Sequence, residues 1–238
     1  MKVIILAGGL GTRLSEETLD KPKPMVEICG EPILLHIMRI YHSQIDCDFV
    51  IATGYLSDVI EEYLESKQFK KEGIRATAMF TGLETQTGGR IKKVMDSIPG
   101  EKVMATYGDG VCDIDIHSLL TFHNNHNRLA TLTAVRPAAR FGRLEIRGDR
   151  VTNFSEKRQS QEGWINGGYF VFEPEVTRYI QDASQALEHE PLTNLAHEEN
   201  LMAFKHHGFW QPMDTLREKH DLEELIKLGS APWIKSDK

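Results

Sequence analysis

Val3-Ile4-Ile5-Leu6-Ala7-Gly8-Gly9-Leu10-Gly11-Thr12-Arg13-Leu14 opens the chain with an apolar run that passes directly into a glycine-rich turn. Apolar residues at every position, without alternation, predict a strand covered on both faces, the habit of parallel sheets packed between helices. Gly8, Gly9 and Gly11 let the backbone approach a ligand closely and aim successive amides at anionic oxygens. At the carboxyl end of a parallel strand, such a turn stands where open α/β sheets take their ligands.

Outward from that turn, the pattern repeats. Residues 31–45 carry Ile33, Leu34, Ile37, Met38 and Tyr41 at amphipathic-helix spacing, and 48–53 is a second buried strand. Ser57 is expected to cap a helix bearing Val59, Ile60, Tyr63 and Leu64. Residues 74–80 read as a third strand, Ile91, Val94, Met95 and Ile98 as a third helical face, and 103–107 as a fourth strand. A helix with Ile116, Leu119 and Leu120 follows. Strands alternating with helices imply parallel strands joined by helical crossovers. The second half changes character: 130–135, 143–147, 150–154 and 164–172 come close together, with Gly148-Asp149 as a hairpin turn, and predict antiparallel strands added to the sheet. A closing helix carries Leu216, Leu222, Leu225 and Ile226 and stops at Gly229. No Pro/Ser/Gly-rich linker separates the halves, so one α/β domain over 1–238 is expected.

Bulk properties narrow the class. The 238 residues, 40% apolar and 26% charged, suit a soluble globular chain with a core of its own. A net charge of −7 argues against a nucleic-acid binder, which carries a basic face. The run at 3–7 is too short to span a bilayer and lacks the features of a signal peptide. Cys29, Cys47 and Cys112 are odd in number and form no C-x-x-C pair, so they read as reduced thiols of a cytoplasmic protein.

The glycine turn is neither of two familiar phosphate motifs. The dinucleotide fingerprint needs glycine where Leu14 stands, and no Gly-Lys-Ser/Thr completes a P-loop. What remains is a glycine turn followed by Arg13 and then by Lys21-Pro22-Lys23-Pro24. A guanidinium fork and a point-charge ammonium this close to the turn suit a triphosphate; a tight turn with solvated basic residues is the plainer alternative. His123, His126 and the pair His206-His207 have no companion Cys or His at zinc spacing and read as structural. Trp210 and Tyr107 are open between stacking on a ligand and core packing.

These residues resemble the signature of the sugar-1-phosphate nucleotidylyltransferase family. The resemblance continues through Thr87-Gly88-Gly89-Arg90, Tyr107-Gly108-Asp109-Gly110, Arg140-Phe141-Gly142, Glu156-Lys157, Asn166-Gly167-Gly168-Tyr169-Phe170 and Phe209-Trp210-Gln211-Pro212-Met213-Asp214-Thr215, nearly the whole chain in order. Its wording is nearest to the glucose-1-phosphate cytidylyltransferase branch. The resemblance implies a Rossmann-like, mostly parallel mixed sheet flanked by helices, the nucleotide-diphospho-sugar transferase fold. Residues 1–112 would be its nucleotide-binding half and 113–238 its sugar-phosphate half. It implies transfer of a nucleotidyl group from CTP to a sugar-1-phosphate, with Mg²⁺ as cofactor, pyrophosphate as second product, and a homo-oligomeric assembly.

Its site residues carry over position by position. Arg13 would hold the leaving β- and γ-phosphates and Lys23 the α-phosphate. Leu6, Ala7, Gly8, Gly9, Gly11, Thr12, Thr87, Gly88, Gly89 and Gly108 would line the nucleotide. Asp109 and Asp214 would hold Mg²⁺, while Glu156, Lys157, Asn166, Gly167 and Gly168 would take the sugar phosphate. From the residues alone, Asp109 is equally an Asp-Gly turn, Asp214 a helix N-cap, and Glu156-Lys157 a solvated pair. Two departures bear on specificity. The segment before Thr87 is shorter than the branch has, which touches base choice and assembly, and Arg158 follows Lys157 where the family has proline, which touches the acceptor. UTP or dTTP as donor, another phosphorylated acceptor, and a non-catalytic sugar-nucleotide sensor are the rival readings.

Overall fold

The structure, a computed structural model, describes residues 1–9, 11, 14, 16–137, 143–155 and 163–235. In chain order the first half runs β1 (Lys2–Ala7), a 3-10 turn (Lys23–Met25), β2 (Glu27–Ile28), β3 (Glu31–Pro32), α1 (Ile33–His42) and β4 (Asp48–Thr53). It continues through α2 (Ser57–Glu65), α3 (Lys67–Lys70), β5 (Arg75–Phe80), α4 (Thr87–Ser97), β6 (Val103–Tyr107), β7 (Gly110–Cys112) and α5 (Ile116–His126). The second half holds β8 (Ala130–Val135), β9 (Arg143–Arg147), β10 (Arg150–Ser155), β11 (Ile165–Phe172), α6 (Glu190–His197), β12 (Leu201–Lys205), β13 (Trp210–Pro212) and α7 (Leu216–Lys227).

Seven strands from both halves build one sheet in the order β12-β8-β11-β6-β1-β4-β5. β1 pairs in parallel with β4 and β6, and β4 with β5. β11 runs antiparallel to both β6 and β8, and β12 lies parallel to β8 at the edge. Alternate residues of β1 face two cores. Val3, Ile5 and Ala7 point to a core filled by α1, α5 and α7, and Ile4 and Leu6 to one filled by α4 and α6. Burial on both sides is why the run at 3–7 is apolar throughout. After β5 the chain returns across β1 to add β6 on the other side. The carboxyl end of β1 therefore lies at a switch in strand order, the crevice where such sheets bind ligands.

The mixed sheet flanked by helices agrees with the sequence pattern, with three differences. β9 and β10, joined at Gly148-Asp149, pair with each other as a separate two-stranded ribbon instead of extending the main sheet. Neither the short edge strand β12 nor the three-residue β13 is among the strands expected from the sequence. Ser57 does not cap α2: the chain enters that helix through left-handed Leu56 (φ 49°), which leaves Ser57 inside the first turn. Among the described residues no helix is long and apolar enough to cross a membrane.

Candidate active site

A cavity of about 590 Å³ opens at the carboxyl ends of β1 and β6. Its walls are the turn Leu6–Gly9 with Gly11, the segment Lys23-Pro24, residues 83–87 with Arg90, Tyr107–Asp109, and Asp214. Gly108 fixes one corner. A side chain there would meet the Leu6 carbonyl at 2.7 Å and the Pro24 ring at 2.8 Å, so the end of β6 closes tightly on both β1 and the Lys-Pro-Lys-Pro segment. Pro24 is the second residue of the 3-10 turn Lys23–Met25, which Lys23 begins.

Lys23 Nζ lies 2.7 Å from Asp109 Oδ2 and 2.6 Å from Asp214 Oδ1. The two carboxylates come from opposite strands of a ribbon in which β13 pairs antiparallel with β7, continued by Met213 N–H donating to the Asp109 carbonyl at 2.7 Å. The N-cap of α7 is Thr215, which forms a capping box with Glu218. Asp214 is therefore one residue outside the helix, its side chain turned to Lys23 instead of the cap. Burial alone would lower the Lys23 pKa, but the charges and hydrogen bonds of Asp109 and Asp214 outweigh it and hold the ammonium above its ordinary value. Two carboxylates against one ammonium leave this cluster with a net negative charge. Paired hard oxygens beside a phosphate-sized cavity are a donor set that suits a divalent cation such as Mg²⁺.

The glycine turn is pinned from behind by Arg90, which is 4% exposed. Its guanidinium donates to the carbonyls of Gly8 (2.9 Å) and Thr53 (2.8 Å) and to Thr81 Oγ1 (2.6 Å). Burial lowers its pKa from the ordinary guanidinium value. A Cβ on Gly8 would fall 2.1 Å from the guanidinium carbon. Because C=O and N–H of a trans peptide point in opposite directions, anchoring the Gly8 carbonyl on Arg90 turns the Gly9 N–H away from it. A Cβ on Gly9, by contrast, would meet nothing within 4 Å among the described residues. Arg90 belongs to the quoted Thr-Gly-Gly-Arg motif but was not singled out. Its signal was its place four residues before Val94, on the apolar stripe of α4, where a solvated cation has no business.

Thr87 faces the cavity, but Gly88 and Gly89 lie behind it. Side chains on them would strike the backbone of Gln185 (2.7 Å) and Ala183 (2.5 Å), so their glycines serve to seat α4 against that segment. Beyond Tyr107, the register of β11 against β8 breaks between Asn166 and Phe170, and Gly168 takes φ +79° with the Tyr107 ring where a Cβ would go. Asn166 Nδ2 donates to the Tyr107 hydroxyl (3.1 Å), and Trp210 Nε1 donates to the Gly167 carbonyl (2.7 Å), tying the β7–β13 ribbon to this strand. Burial first, then the Glu188 carboxylate, push the Tyr107 hydroxyl far above its ordinary pKa, so it keeps its proton. Glu188 had no sequence signal at all, being one acid in a polar stretch. Thr12, Arg13, Glu156 and Lys157 lie outside the described residues.

The histidines sort by position. His123 bonds Thr131 Oγ1 (2.8 Å) and Glu173 (3.2 Å), and His126 bonds Thr131 (2.7 Å), a buried polar network on α5. His206 meets Asp113 at 2.8 Å and lies near the Cys112 thiol, whose pKa burial raises; the contact fastens the far end of the β7–β13 ribbon.

A family model described as nucleotidyl transferase matches residues 2–217. The glucose-1-phosphate cytidylyltransferase of Salmonella typhimurium is 47% identical over 253 aligned positions, covering 98% of each chain. That alignment is longer than the 238 residues here, so the relative carries residues this chain lacks. The solved structure of HddC from Yersinia pseudotuberculosis matches with a TM-score of 0.72 at 24% identity, covering 94% of this chain and 99% of that one. UDP-glucose pyrophosphorylase complexed with UDP-glucose matches with a TM-score of 0.71 at 15% identity, covering 96% and 98%. At those identities the likeness to the two structures concerns the fold.

Proposed function

The chain belongs to the nucleotidyl transferase family and has the nucleotide-diphospho-sugar transferase fold, and from that premise we propose that it makes CDP-glucose from CTP and glucose-1-phosphate. The observation that carries the reading is the convergence of Asp109, Asp214 and Lys23 beneath the glycine turn, in a chain 47% identical to an enzyme of that name.

A phosphate oxygen of the sugar phosphate attacks the α-phosphorus of CTP. The bond from that phosphorus to the oxygen bridging it to the β-phosphate breaks, and pyrophosphate leaves with the electron pair. Both reactants are anions, so the barrier is lowered by positioning and by preorganised positive charge, with no covalent enzyme intermediate required. The glycine turn at Gly8-Gly9 would receive the triphosphate, with Arg90 holding the direction of the Gly9 amide. Lys23 is placed to follow the α-phosphate, and Arg13 would take the leaving phosphates. Asp109 and Asp214 would hold Mg²⁺, which when bound offsets charge on the phosphate oxygens. Asn166, with Glu156 and Lys157, would receive the sugar phosphate. Residues 1–112 thus present the nucleotide and 113–238 the acceptor. The three free thiols fit a cytoplasmic enzyme.

Pyrophosphate release across CTP, UTP, dTTP and GTP and several sugar-1-phosphates, with and without Mg²⁺, tests the proposal. Turnover should be highest with CTP and glucose-1-phosphate and require the divalent ion. Faster turnover with UTP or dTTP would overturn the base assignment, a different preferred sugar the acceptor, and silence in every combination the enzyme reading itself.

A further inference from the structure

Glu188 lies outside every motif of the sequence, yet its carboxylate sits where the two halves of the site meet. One oxygen accepts from Thr87 Oγ1 at 2.6 Å and the other from the Tyr107 hydroxyl. Thr87 is itself fixed, its oxygen accepting from Leu187 N–H at 2.8 Å. Tyr107 is fixed by its ring, which packs against Gly168 and edge-on against Phe170 at 5.7 Å. The chain continues to Asn166, whose Nδ2 lies 3.1 Å from the Tyr107 oxygen while its Oδ1 accepts from Gly168 N–H at 2.9 Å.

The directions of these bonds are forced. A carboxylate only accepts, so both hydroxyls must donate to Glu188. The Tyr107 hydroxyl has one proton, and with that proton committed its oxygen is an acceptor towards Asn166. The Gly168 N–H can only donate, so Asn166 turns its carbonyl oxygen to Gly168 and its NH₂ to Tyr107, the orientation that an acceptor tyrosine oxygen matches. One of the two Nδ2 protons is used on Tyr107; the other is left to donate.

We propose that Glu188 is a positioning residue for the sugar phosphate: by taking the Tyr107 proton, its carboxylate keeps the tyrosine oxygen an acceptor that holds the Asn166 NH₂, already oriented by Gly168, in place to offer its remaining N–H to a sugar hydroxyl. This rests on Asn166 being a sugar contact, as in the function proposed above. A neutral amide at 188 loosens that hold, because Gln can itself donate to Tyr107 and turn the tyrosine proton against the Asn166 NH₂.

Glu188→Gln, Tyr107→Phe and the double variant test it, in steady-state kinetics and in calorimetric titration of glucose-1-phosphate into the full chain. Tyr107→Phe keeps the ring and removes only the hydroxyl. Each single variant should weaken glucose-1-phosphate, in KM and in binding, by roughly tenfold, the loss of one well-placed hydrogen bond, with the KM for CTP and the melting temperature little changed. The double variant should be no worse than the poorer single one, because both break the same chain. Additive losses, an equal rise in the KM for CTP, or unchanged sugar affinity would each overturn the role of Glu188. Wild-type protein that neither binds nor turns over glucose-1-phosphate would instead overturn the sugar-site reading on which it rests.

Discussion

Replacing Lys23 by methionine should tighten the binding of Mg²⁺ to the nucleotide-free protein while it cripples turnover. In the structure the ammonium occupies the space between Asp109 and Asp214, at 2.7 and 2.6 Å, so a divalent cation entering that space must first displace it. A hydrogen bond to a charged partner contributes about 1.5–3 kcal/mol when well shielded. The carboxylate side chains are 32% and 21% exposed, so solvent screening trims that range, and about 2 kcal/mol for the pair is a fair total. Removing the competitor should therefore lower the Kd for Mg²⁺ by roughly thirtyfold, at about 1.4 kcal/mol per tenfold. Without the divalent ion the variant should melt below wild type, since two carboxylates then face each other unneutralised, and Mg²⁺ should restore most of the difference. Calorimetric titration and thermal melts, each with and without Mg²⁺, read both effects. Mg²⁺ bound no more tightly by Lys23→Met than by wild type would refute the idea that the lysine holds the metal's place.

Asp109→Asn should fold with a melting temperature near wild type, because Asp214 still engages Lys23, yet lose nearly all turnover; near-normal rates would mean that the metal ligand is misassigned. Gly9→Ala and Gly8→Ala should behave oppositely. Gly9 has open space around it among the described residues, so its alanine variant should keep its stability and lose CTP affinity, whereas Gly8→Ala collides with Arg90 and should cost about 1–3 kcal/mol in denaturant unfolding; equal stabilities would contradict the packing described. His36 has its pKa lowered chiefly by burial, with Glu31 opposing in part. The unfolded chain therefore binds the proton more readily, and stability should fall as pH drops below the ordinary histidine value of 6.5. His36→Gln should flatten that fall between about pH 7 and 5.5 in denaturant titrations, and an unchanged slope would clear His36 of the effect.

The elements legible in the sequence were those whose residues obey one local rule. The run at 3–7 announced a doubly covered strand because every position is apolar, and the glycine turn announced a close approach because nothing else tolerates one. The ambiguity at Asp214 could not be resolved locally. N-cap and ligand demand the same residue type at the same place, and only the capping box on Thr215 shows that the helix has another cap. Thr-Gly-Gly-Arg shows how a motif can be recognised while the packing of its parts stays hidden. Its glycines are expected as nucleotide contacts and in the structure also seat a helix, while the arginine that follows them anchors the glycine turn. Glu188 was beyond reach, because its meaning comes from partners 81 and 101 residues away. Likewise β9–β10 fitted a strand pattern in which alternation says that a strand exists but not which sheet it joins.

The central claim, transfer of the cytidylyl group to an intact sugar phosphate, is tested most directly by following labelled oxygen. Glucose-1-phosphate carrying heavy oxygen in its non-bridging phosphate positions, mixed with CTP, Mg²⁺ and the enzyme, is resolved by phosphorus NMR. Attack by the sugar phosphate on the α-phosphorus predicts CDP-glucose that retains all the label, with a labelled oxygen bridging the two phosphorus atoms, and pyrophosphate that carries none. Label in the pyrophosphate, or loss of CTP without labelled CDP-glucose, would contradict the account.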